Sequence, residues 1–151
     1  MDYQTTYNEA MVKLAEAQKC QDEITDCSKE LQQVNNVING TTNPQLYYQL
    51  KDQHVKLLCK IDEQIKERNK KLNEALSKTL DLVDKDLENR VYHDDSIGLK
   101  TWATILCYMA TNNIKMKYSV EVILKQEQIV NRAAREIKYQ SFINQLKMLS
   151  F

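Results

Sequence analysis

Cys20, Cys27, His54 and Cys59 are the residues whose types could hold a metal ion. Thiolates and imidazoles are the ligands of structural zinc when four of them converge. A chain folded back on itself at residues 39–43 would place Cys27 opposite about position 56, near His54 and Cys59. The sequence lacks the paired-ligand spacing, however: there is no C-x-x-C, and six residues separate Cys20 from Cys27. The cysteines are therefore expected to serve as small apolar residues of a helix seam. No metal, cofactor or disulfide is expected.

The stretch "YHDDS" gathers His93, Asp94, Asp95 and Ser96. A histidine beside two carboxylates can move protons or bind a cation. Aspartates and a serine just before an apolar helix are equally ordinary capping residues. No other loop supplies a nucleophile or a phosphate cradle, so no catalytic residue is assigned and no enzymatic activity is expected. "KERNKK" places Lys66, Arg68, Lys70 and Lys71 together, flanked by Glu63, Glu67 and Glu74. Without interleaved aromatics it reads as a solvated helix face. Lys+Arg and Asp+Glu both number 21, so no bulk attraction to nucleic acid or acidic lipid is implied.

Apart from the "YHDDS" loop, these groups must be carried by helices. The 151 residues include two glycines and one proline, far too few turn residues for a β-rich chain. A first helix is expected over Tyr3 to Ile38. One seam runs Tyr3, Ala10, Ala17, Ile24, Leu31, Ile38, and its companion runs Tyr7, Leu14, Cys20, Cys27, Val34. "NGTTNP" should end it, with Asn39 and Gly40 in a left-handed cap. Asn43 and Pro44 should open the next helix.

A second helix is expected from Pro44 to about Val91. Its apolar stripe runs Leu58, Ile61, Ile65, Leu72, Leu76, Leu80, Val83, Leu87, with an eleven-residue period in Ile65–Leu76–Leu87. Acid precedes base by four residues at Asp62–Lys66, Glu67–Lys71, Glu74–Lys78, Asp81–Lys85 and Asp86–Arg90. Each such pair contributes about 0.2–0.5 kcal/mol, enough to bias a helix but not to hold it alone. Asn69 falls on the stripe as a candidate break. Two further helices are expected: a short apolar one over Ile97 to Ala110, and a long one over Tyr118 to Ser150.

The expectation is a single all-α domain over residues 1–151. It is an elongated antiparallel hairpin, coiled-coil-like, with a short third helix and a long C-terminal helix. Opposing hairpin positions should sum to roughly 83. The expected function is helix-on-helix interaction, by self-association into a homo-oligomer or by binding a partner's amphipathic helix. Ile24, Leu31, Ile65, Leu72 and Leu76 are the expected seam, and Phe142, Leu146 and Leu149 the expected partner face.

In outline the chain resembles filament, tip and chaperone proteins of secretion assemblies, which makes a subunit or chaperone of that kind the alternative. Membrane contact through residues 97–110 is a further, less favoured expectation. The start "MDYQTTYNEAM" lacks a basic-then-apolar leader. A cytoplasmic location is expected, or export without a cleaved signal.

Overall fold

A computed structural model describes residues 2–91, 95–136 and 140–147. The protein is all-α and bundle-like. Among the described residues it has five helices and no strand: α1 (Tyr3–Gly40), α2 (Pro44–Glu88), α3 (Ile97–Thr111), α4 (Val120–Glu136) and α5 (Gln140–Leu146). Its contacts divide into two compact units, Ala15–Lys70 and Met1–Leu14 with Lys71–Phe151.

In the unit Ala15–Lys70, the chain reverses just after Gly40. Asn43 caps α2 as expected, its Oδ1 accepting from the amides of Gln45 at 3.0 Å and Leu46 at 3.3 Å. Gly40 does not take the left-handed cap expected of it: no glycine has a positive φ. Cys27, Val34 and Leu57 form a buried cluster, flanked by Leu31, Ile38, Leu50 and Ile61. Burying a side chain such as Leu57 contributes about 1.5–3 kcal/mol.

The register matches the expected one. Glu30 meets Gln53 at 3.2 Å and Glu23 meets Lys60 at 2.6 Å, and both pairs of positions sum to 83. Leu58 was expected on the inward stripe. It is 46% exposed, and Leu57 takes its place. Asn69 does not break the helix, because α2 runs unbroken from Pro44 to Glu88. It is Arg68 that turns inward: its guanidinium donates to Gln21 Oε1 at 2.8 Å and to Asn69 Oδ1 at 3.0 and 3.1 Å.

In the other unit, α2 is covered on several sides. Leu72, Ala75, Leu76, Thr79, Leu80, Leu82 and Val83 are fully buried and Leu87 nearly so. A helix buried this widely needs more than one neighbour. The first turns of α1 pair with it through Glu9–Lys78 at 3.1 Å and Lys13–Glu74 at 2.9 Å. α4 pairs with it through Lys125–Asp81 at 3.0 Å and Arg132–Asp84 at 2.6 Å. Several carboxylates expected to make local four-residue pairs thus bind across helices instead. Asp62–Lys66, in the other unit, keeps its local pairing at 3.1 Å.

α3 docks through Gly98, where an added Cβ would lie 2.5 Å from the Val83 nitrogen and 2.7 Å from its Cα. Two helix ends in this unit close with a left-handed non-glycine residue, Arg90 (φ 60°) after α2 and Asn113 (φ 52°) after α3. In each the next residue reaches back to the last turn, Val91 to Asp86 and Ile114 to Met109, both at 2.8 Å.

The single C-terminal helix expected over Tyr118–Ser150 appears as α4 and α5. The Gln126 amide donates to the Leu146 carbonyl twenty positions later, and the Trp102 indole donates to the Gln145 carbonyl at 3.2 Å. A continuous helix would hold positions 126 and 146 about 30 Å apart, so α5 returns onto α4 and α3.

Candidate interaction surface

The residues whose types could hold a metal do not converge. Cys27 is buried, and burial pushes its thiol up from the usual value. Cys20 is half-buried and Cys59 exposed. The His54 Nδ1 sits 2.7 Å from Asn35 Oδ1, not against a thiol. Among the described residues no group of three His, Cys, Asp or Glu side chains is arranged to hold a metal. His93 and Asp94 lie outside the described residues, and Asp95 is exposed. The cap on α3 is Ser96, whose hydroxyl oxygen accepts from the Leu99 amide at 3.1 Å.

The basic run does not form one patch. Arg68 is buried, while Lys66 is exposed and paired with Asp62. An open cleft of about 330 Å³ lies beside α3, lined by Tyr3, Tyr7, Met11, Ile97, Lys100 and Thr104. It presents two phenols, the Gln4 carboxamide, the hydroxyls of Thr101 and Thr104, and one ammonium.

The residues expected to pack are consumed inside the chain. Ile24, Leu72 and Leu76 are buried, and Leu31 and Ile65 are half-buried. Leu146, expected on a partner face, is fully buried. Leu149 and the side chain of Phe142 lie outside the described residues. The α3 side chains Trp102, Ile105 and Met109 are also buried, while Ile97 is exposed. Among the described residues no helix is long and apolar enough to cross a membrane.

Exposed apolar side chains occur on α4, at Val120, Ile123 and Leu124, and along the outer side of α2 in the unit Ala15–Lys70. Tyr48 is 72% exposed, Val55 56% and Leu58 46%, with Tyr47 also exposed. At about 100° per residue, Tyr48, Lys51, Val55, Leu58, Cys59 and Asp62 occupy a stripe roughly 100° wide. The inward residues Leu50, Leu57 and Ile61 lie roughly 120° around the helix from it. Tyr47 and Tyr48 meet edge-on with ring centroids 5.5 Å apart, and the Lys51 ammonium lies 5.5 Å from the Tyr47 ring. An apolar stripe of this width is what one neighbouring helix covers.

No protein-family model, curated protein or solved structure matches this chain.

Sequence reading did not find this stripe. The apolar residues on that part of α2 serve two faces, and Leu58, expected inward, lies on the outer one. The signal that could have found it is the spacing Tyr48, Lys51, Val55, Leu58, Asp62, Ile65, whose alternating steps of three and four mark a second seam.

Proposed function

We propose that this chain is a non-enzymatic helical interaction protein. Its contact surface is the outer face of α2 between Tyr47 and Asp62. The observation that carries this reading is the exposure of Tyr48, Val55 and Leu58 on one stripe of a helix whose other side already packs on α1. Water contact with such a stripe is unfavourable, and a partner's amphipathic helix would remove it. Coiled-coil-like assembly, as in an assembly subunit or a helical chaperone, uses this one activity.

The test is Val55→Asp combined with Leu58→Asp. Both side chains are exposed, so the circular dichroism spectrum should be unchanged. Association, read as molar mass by light scattering and as capture of an amphipathic helical peptide, should fall. Association unchanged by the double substitution would overturn the assignment to this face.

A further inference from the structure

The seam on the outer face of α2 has a charge order that selects an occupant. Reading along the helix it runs Tyr48, Lys51, Val55, Leu58, Asp62, Ile65. The centre is apolar, one end carries a cation, and the other an anion. The steps from Lys51 to Asp62 are four, three and four, so the pattern is symmetric about the midpoint of Val55 and Leu58.

We propose that a second copy of this chain binds here, its α2 running antiparallel to the first. In that register Lys51 of each copy faces Asp62 of the other, and Val55 faces Leu58. Tyr48, which is 72% exposed, flanks the pairs, opposite the half-buried Ile65 of the other copy. The parallel alternative sets Lys51 on Lys51 and Asp62 on Asp62, so like charges exclude it. The arrangement is isologous and closes as a dimer, with no edge left for further growth. This inference rests on the reading of the outer face as the contact surface, and it names the partner and the orientation.

Both charged residues are accessible. Lys51 is exposed beside the Tyr47 ring. Asp62 is 65% exposed, and its bond to Lys66 is an exposed one-turn pair of small energetic consequence. The contact is short: Lys51 to Asp62 spans about 17 Å of helix. The dimer is therefore weak, concentration-dependent and sensitive to salt.

Charge reversal tests the orientation directly. Lys51→Glu sets two carboxylates against each other at both ends of the dimer, and Asp62→Lys sets two ammonium groups there. By sedimentation equilibrium at low salt, each variant alone should associate at least about tenfold more weakly than the wild type. An equimolar mixture of the two should recover the wild-type dimer. At one end the introduced carboxylate of the first variant then faces the introduced ammonium of the second. At the other end the unchanged Asp62 of the first faces the unchanged Lys51 of the second. Circular dichroism should be unchanged in both variants.

A wild type that stays monomeric across the concentration series overturns the proposal. So does a dimer indifferent to the reversals, or a mixture that does not recover. If Val55→Asp with Leu58→Asp abolishes association while the reversals leave it intact, the contact face stands and the antiparallel self-pairing falls.

Discussion

The Tyr3 hydroxyl donates to Asp86 Oδ1 at 2.6 Å across 83 positions of sequence. The second carboxylate oxygen, Oδ2, accepts from Ser96 Oγ at 2.6 Å and from the Gly98 amide at 2.8 Å. One buried carboxylate thus joins the start of α1, the end of α2 and the start of α3. A negative charge is well placed at the N-terminus of α3, where amide groups lack intrahelical partners.

Removing that carboxylate strands three donors. Asp86→Ala should destabilise the protein by about 2–4 kcal/mol, measured by urea unfolding. Burial, with the hydrogen bond to Asp86 and its charge, pushes the Tyr3 phenol well above its ordinary 10.0. A raised value means stability that is whole below pH 10.0 and declines as the pH rises toward the folded-state value. Tyr3→Phe should cost about 1.5 kcal/mol at neutral pH and should flatten the loss of stability above pH 10.

Gly98→Ala inverts an ordinary rule. Inside a helix this change stabilises by about 1 kcal/mol through propensity alone. Here the new methyl would lie 2.5–2.8 Å from the backbone of Leu82 and Val83, which cannot turn aside as a side chain can. The expected result is a loss of about 1–3 kcal/mol in thermal or urea unfolding. A stabilised Gly98→Ala protein would show that α3 does not approach α2 so closely.

Acidification should weaken both units through different carboxylates. The hydrogen bond and charge of Lys60 hold Glu23 below its ordinary 4.5. Ser77 and then Lys125 do the same for Glu121. Depressed carboxylates contribute stability that is present above 4.5 and lost as the pH falls through their folded-state values. The urea midpoint should therefore drop below pH 4.5, and Glu23→Gln with Glu121→Gln should make that drop shallower. On Lys125, burial pulls the ammonium down, but Asp81 and Glu121 outweigh it and hold the group above 10.5.

Thiol labelling should sort the cysteines by position. Cys59 and Cys107 are exposed and should react quickly with a thiol reagent at neutral pH. Cys27 is in the hairpin core with its thiol pushed up. It should react at least about a hundredfold more slowly, limited by local opening. Rapid labelling of Cys27 would contradict the placement of the Cys27–Leu57 cluster.

Sequence alone determined the helical class and the pairing of α1 with α2. Scarce glycine and proline, a seven-residue seam in α1 with a companion that slips one position between Leu14 and Cys20, and the Asn43–Pro44 cap are local signals, and backbone geometry reads them directly. It also determined the approximate register, with opposing positions summing to about 83, because a short turn leaves the hairpin little freedom of register.

Only the tertiary structure decided which partner each charged residue takes. Glu74, Asp81 and Asp86 each have a base four residues on, yet they bind Lys13, Lys125 and Tyr3. Local pairs contribute a few tenths of a kcal/mol, so the geometry of neighbouring helices overrides them. The tertiary structure also decided the faces of α2, sending Leu57 and Arg68 inward and Leu58 outward. Two interleaved stripes on one helix are equally periodic. Which of them is covered depends on where α1 lies, and that is a property of the folded chain, not of any window of its sequence.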